Sequence, residues 1–188
     1  MKQITFLTIF ISALAFSSNG QITKNNWMVG GSGRVAFQKQ TLINSEAKGT
    51  NINVLPAAGY FFIDKFAGGL KARLALDRVE FNGGVSKATQ LGIGPFLRYY
   101  FLDPDNRVNL FAETAYQYLH FSGNNSAPSD AANVFTFSVG PVIYFNTSVG
   151  IEFTANYELY NNKDAGIDGK TFFLSIGFQI HLEKEKNH

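Results

Sequence analysis

Thr171-Phe172-Phe173-Leu174-Ser175-Ile176-Gly177-Phe178-Gln179-Ile180-His181-Leu182 is the stretch on which the fold turns. Phe172, Leu174, Ile176, Phe178, Ile180 and Leu182 occupy the even positions, and Thr171, Phe173, Ser175, Gly177, Gln179 and His181 the odd ones. Successive side chains of a strand point to opposite faces. This alternation therefore predicts a strand with one wholly apolar face and one that is mostly small or polar, whereas an amphipathic helix would repeat every 3.6 residues.

The same period recurs upstream seven times. It predicts strands over about 27–38, 51–62, 67–76, 89–101, 108–121, 134–145 and 149–160, followed by 171–182. Their apolar faces carry, for example, Trp27, Val29, Val35 and Phe37 in the first, and Phe135, Phe137, Val139, Ile143 and Phe145 in the sixth. These lengths match or slightly exceed the ~9–11 residues of a tilted strand that crosses a bilayer. The connections alternate. Ile63-Asp64-Lys65-Phe66, Asp103-Pro104-Asp105-Asn106 and Asn146-Thr147-Ser148 are short and rich in turn residues. The others are longer and polar, such as Ser122 to Ala132 and Asn161 to Lys170. Short turns at one end and longer loops at the other predict an eight-stranded antiparallel up-and-down barrel of the transmembrane kind. Pro56, Pro95 and Pro141 fall inside predicted strands, on the apolar face. A proline there removes a ladder donor, so a bulge or bend is expected at each.

Packing volume decides which face points outward. About five apolar side chains on each of eight strands would crowd roughly forty into a lumen with room only for its own side chains or one small ligand. The polar face instead brings Gly30, Gly59, Gly69, Gly92, Gly94, Gly140, Gly150 and Gly177, which suit a crowded interior. On the apolar face, Trp27, Tyr60, Phe62, Phe66, Tyr99, Phe101 and Phe145 gather at the short-turn end. Phe37, Tyr118, Phe135, Tyr157 and Phe172 gather at the other. Two aromatic belts are what the two interfaces of a bilayer select.

Composition agrees. Among 188 residues there are 19 Phe and 8 Tyr, and charged residues make up 16%, below the roughly 25% of ordinary soluble domains. The net charge of +2 argues against nucleic-acid binding, which needs a basic patch. Cysteine is absent, which excludes disulfides, thiolate metal sites and a cysteine nucleophile. Residues 1–20 have the order of an export signal: Lys2, then apolar Ile4 to Phe16, then small Ser18 and Gly20 before a cut at Gln21. The apolar block is too short to span as a helix. The expected organisation is a signal peptide over 1–20, a barrel over 21–182 and a polar tail over 183–188.

Trp27-Met28-Val29-Gly30-Gly31, Gly59-Tyr60-Phe61-Phe62, Gly94-Pro95-Phe96-Leu97-Arg98-Tyr99-Tyr100-Phe101 and Phe173-Leu174-Ser175-Ile176-Gly177-Phe178 resemble the small outer-membrane β-barrel proteins of the OmpA/OmpX-like kind. The resemblance is strongest to the outer-membrane β-barrel domain common in Bacteroidota and spans nearly all of the chain after the signal. It implies a porin-like fold in the outer membrane of a Gram-negative cell. The expected setting is a monomer in contact with outer-membrane lipid, lipopolysaccharide and the barrel-assembly machinery, with no nucleic acid and no cofactor. Many such proteins end on a terminal aromatic, whereas here Leu182 is followed by Glu183-Lys184-Glu185-Lys186-Asn187-His188.

The polar face carries Arg34, Lys71, Arg73, Arg98, Glu113 and Glu152 near mid-height, with Glu158 outside that level. Opposite placement in an eight-strand ring would let Arg34 meet Glu113, and Lys71 or Arg73 meet Glu152, while Arg98 adjoins Glu113 on the next strand. A gate or ion path is one reading. A charge network neutralising a lumen that excludes bulk water is the one adopted. Below it, Met28, Phe61, Phe96, Tyr100, Phe111 and Tyr144 are expected to form an apolar closing layer. The expected role is structural or interactive at the cell surface, the alternatives being a conduit for small or apolar solutes and a lipid-modifying hydrolase. The hydrolase rests on His120-Phe121-Ser122-Gly123-Asn124, which is similar to the His-x-Ser-Asn-Ala motif of lipid A 3-O-deacylases. The match is partial, and Asp130 is the nearest acid for a triad. No catalytic role is expected. The Asp164 and Asp168 loop lacks the spacing of a calcium loop.

Overall fold

A computed structural model describes residues 22–42, 45–81, 84–123, 131–162 and 166–182. The expected signal peptide and tail lie outside these residues. Eight antiparallel strands follow one another round a closed barrel: β1 (Trp27–Leu42), β2 (Ser45–Ile63), β3 (Phe66–Phe81), β4 (Gly84–Tyr100), β5 (Val108–Gly123), β6 (Ala131–Tyr144), β7 (Val149–Asn162) and β8 (Ile167–Leu182). Each strand is next in space to its neighbour in sequence, and β8 returns to β1.

Side-chain alternation sorts the two faces as expected. In β6 every second residue from Ala132 to Tyr144 is buried, while Phe135, Phe137, Val139 and Ile143 are exposed. Polar and small side chains line the interior, and the apolar set faces outward. The strand ends differ from the sequence reading. Most strands run further at the long-loop end, so 45–50, 77–81, 84–88 and 167–170 are strand rather than loop. A hairpin that continues into water satisfies its own backbone by cross-strand pairing and needs no apolar face to do so. Period-two hydrophobicity therefore stops before the ladder does.

Of the bulge or bend expected at the prolines, the bulge is corrected. None carries a bulge. Between β4 and β5 the pairing passes from Ile93↔Tyr118 to Phe96↔Ala115 with its register intact, lacking only the rungs beside Gly94 and Pro95. Pro141 does the same against β7, and Pro56 against β3. Proline lacks an N–H and so cancels rungs on one side, yet the strand keeps step. A Cβ on Gly94 would stand 1.8 Å from the carbonyl oxygen of Tyr116, and one on Gly140 1.9 Å from that of Phe153. Glycine before proline thus lets adjacent backbones approach closely at these two sites. The register shift that does occur lies in β2 between Phe61 and Ile63, beside the tight turn to β3.

The short-turn end is firmly tied. Asn146 accepts backbone N–H bonds from Ser148 and Val149 through its side chain. Asn109 bridges the β4–β5 turn, accepting from the Leu102 N–H and donating to the Leu102 and Asp103 carbonyls. Residues 22–26 fold under the barrel: Lys65 N–H donates to the Ile22 carbonyl, Asn25 N–H donates to the Phe61 carbonyl, and Ile22 is fully buried.

Candidate functional site in the barrel lumen

The lumen is layered. Its floor consists of Met28, Phe61, Phe96, Tyr100, Phe111 and Tyr144, joined by Ile22 and His181. Phe61, Tyr100 and Phe111 have no exposed surface, and Met28 and Phe96 retain 2%. His181 stacks on Phe61 at 5.4 Å between ring centroids and meets Tyr144 edge-on at 5.7 Å. The alternation placed the first six here. Ile22 precedes the first strand, and His181 reads in sequence as one more polar position, so neither carried a signal of its own.

Arg98 is the hub of the layer above. Its Nε donates to Glu113 at 2.8 Å, its Nη1 to Gln179 at 3.0 Å and to the Tyr100 hydroxyl at 3.2 Å, and both its Nη atoms reach Glu152. Its guanidinium also lies 4.1 Å from the centre of the Phe111 ring. Lys71 pairs with the other oxygen of Glu113. Two cations and two carboxylates thus close into one neutral cluster. A polar chain ties it to the floor: the Tyr100 hydroxyl donates to Gln179 at 2.6 Å, and Gln179 donates to the Tyr144 hydroxyl at 2.7 Å. A cavity of about 20 Å³ beside the hub is large enough for one water molecule.

Higher in the barrel Arg73 pairs with Glu158 and donates to Gln117 at 3.2 Å. Ser138, Asn156 and Ser175 form a hydrogen-bonded row alongside. Asp77 accepts from Asn51 at 2.5 Å and Gln90 at 2.8 Å.

Two expected pairings are corrected. Arg34 does not meet Glu113; both oxygens of that carboxylate are taken by Lys71 and Arg98, which are nearer. Arg34 instead lies with its guanidinium 4.1 Å over the Phe173 ring. Neither Lys71 nor Arg73 meets Glu152; Arg98 does, and Arg73 reaches up to Glu158. Strand tilt is the reason: facing strands in a ring are not at equal height when each is counted from its own turn. The Arg98–Glu113 adjacency matches the reading, since these residues are opposite in the β4–β5 ladder.

His120 and Ser122 are both exposed near the long-loop end of β5. Among the described residues no acid contacts His120, and Asp130 lies outside them. The described residues thus assemble no Ser–His–acid triad. They also hold no group of His, Asp or Glu suited to a metal ion. At the opposite end, outside the lumen, Lys65 pairs with Asp103 at 2.7 Å across two turns. Chiefly through that hydrogen bond, Lys65 is raised above its usual pKa and Asp103 is lowered.

No protein-family model and no curated protein matches the sequence. Solved structures do resemble the fold. The outer membrane protein OprG from Pseudomonas aeruginosa superposes with a TM-score of 0.57 at 16% identity, over 88% of this chain and 99% of that one. The N-terminal β-barrel domain of Pseudomonas aeruginosa OprF gives a TM-score of 0.42 at 13% identity, over 85% of this chain and 98% of that one. The first likeness identifies the fold class: a small closed barrel of the kind found in outer-membrane proteins.

Proposed function

We propose that the chain is an outer-membrane barrel that spans the bilayer as a sealed cylinder and acts as a structural or surface-interacting element, without catalysis and without a steady ion path. The observation that carries this reading is the inverted interior. Charged and amide side chains are buried inside, while a largely apolar wall faces out. Burying ions costs several kcal/mol each unless they are paired, and exposing such a wall to water would be as unfavourable. A bilayer removes the second problem, and the Arg98 cluster removes the first. The belt of Trp27, Tyr60, Phe62, Phe66, Tyr99 and Phe101, linked by ring contacts of 5.0–6.4 Å, fits the headgroup level at the short-turn end. The floor beneath the charge cluster supports a closed lumen. The Bacteroidota-type barrel domain, a monomeric state and contact with lipopolysaccharide and the barrel-assembly machinery belong to this proposal. Fractionation tests it: the protein expressed with its leader is expected in the outer-membrane fraction, migrating differently in a gel before and after boiling. Recovery of folded protein from the soluble periplasm without detergent would contradict it.

A further inference from the structure

The barrel is zipped unevenly. β1 and β8 pair from Trp27↔Leu182 to Gly33↔Ile176 and no further among the described residues. Continuing that register would bring Arg34 opposite Ser175 and Leu42 opposite Ile167, which are the last residues of both strands at this end. The upper halves are present and in step, yet unjoined. Each is held from behind, β1 by β2 up to Leu42↔Ser45 and β8 by β7 up to Asn162↔Ile167. The lips are therefore edges backed by a paired strand.

Two features say what such a gap admits. Phe37, Leu174 and Phe172, at 79%, 70% and 68%, are the most exposed large apolar side chains among the described residues, and all three flank the gap. Behind it, the inward-facing cations Lys71, Arg73 and Arg98 each have a carboxylate, whereas Arg34 has none among the described residues. Its Nε is buried without a hydrogen-bond acceptor. Asp77, the remaining inward carboxylate nearby, is occupied by Asn51 and Gln90.

We propose that the upper β1–β8 seam is a binding site for a single-headed anionic amphiphile. Its carboxylate or phosphate monoester would sit on Arg34 against Phe173, and its alkyl chain would leave between Val35 and Leu174 into the bilayer. Bare strand edges facing hydrocarbon are disfavoured unless something covers them, and the chain of such a ligand covers these. The charge of the head answers Arg34, the one inward-facing cation among the described residues that has no carboxylate.

The proposal rests on the membrane reading, so insertion is verified first. The protein is refolded into phosphatidylcholine bilayers and checked by its heat-modifiable gel shift; failure to insert counts against the membrane reading itself. Spin-labelled stearate, phosphatidate and phosphatidylcholine are then compared by electron paramagnetic resonance. Stearate, phosphatidate or both are expected to show an immobilised population well above that of phosphatidylcholine, and the responder identifies the head group. Arg34→Gln is expected to weaken that selectivity about tenfold or more, the worth of a hydrogen bond to a charged group. Arg34→Lys should retain part of it, and Arg78→Gln all of it. A nitroxide near the chain terminus should be relaxed by oxygen dissolved in the bilayer. Equal retention of all three lipids, undiminished selectivity in Arg34→Gln, or relaxation of the terminal label by an aqueous nickel chelate in place of oxygen would each overturn the proposal.

Discussion

Glu113 accepts from both Lys71 and Arg98, and this single buried carboxylate holds two buried cations. Removing it leaves Lys71 without an anion, since Arg98 keeps Glu152. Glu113→Ala should therefore cost on the order of 3–5 kcal/mol in urea unfolding from lipid vesicles, as loss of one member of a buried pair does. Glu80→Ala removes an exposed partner of Arg78 and should change stability by less than ~1 kcal/mol. A second contrast uses backbone approach. Gly94→Ala drives a methyl into the Tyr116 carbonyl, whereas the same change at Gly33 meets nothing closer than 3.8 Å. The first should destabilise by about 1–3 kcal/mol, and the second should be close to neutral. At this scale the sequence showed which residues face inward, because parity alone determines that. It did not show which of them touch, because pairing depends on strand tilt. Glu158, set apart by its position along the chain, is the partner of Arg73 for that reason.

At the level of elements, the eight strands and the alternation of turns and loops were legible in the sequence. Their outer ends were not. Hydrophobicity records where a strand touches apolar surroundings, while hydrogen bonding carries the ladder on as far as Phe81, Gly84 and Ile167. The half-zipped β1–β8 contact had no signature, since Val35 and Phe37 in β1 and Phe172 and Leu174 in β8 carry the alternation on beyond Gly33. It predicts uneven amide exchange. From Arg34 to Phe37 every second amide, the one turned toward β8, should exchange faster than its neighbours. No such alternation should occur from Val29 to Ser32. Exchange followed by nuclear magnetic resonance in lipid nanodiscs checks this, and uniform protection along β1 would show the seam to be closed. The Lys65–Asp103 bridge makes a smaller, pH-dependent prediction. The depressed pKa of Asp103 means its contribution is present above the ordinary value of 3.8 and disappears as acid protonates it in the folded state. The raised pKa of Lys65 means its contribution is present below 10.5 and is lost as base removes the proton. The stability difference between wild type and Asp103→Asn should accordingly be flat across neutral pH and fade at both extremes.

The described barrel is a cylinder with its polarity reversed, and under the proposed function the bilayer is the solvent that makes this arrangement stable. Ile93 lies midway along the outward face of β4 and is exposed. Ile93→Arg should cost up to ~2–4 kcal/mol of folding stability in lipid, the figure for a cation near the midplane. In the interior, the aromatic floor and the neutral Arg98 cluster act in series, so removing one layer leaves the other. Glu113→Ala alone should leave the barrel non-conducting, and so should Phe96→Ala with Phe111→Ala. Combining all three should open it. The most direct test of the sealed cylinder is single-channel recording of the wild-type protein in a planar bilayer. The account predicts no steady ionic current at any moderate voltage, with current appearing only in the triple variant. A steady current through the wild-type protein would contradict it.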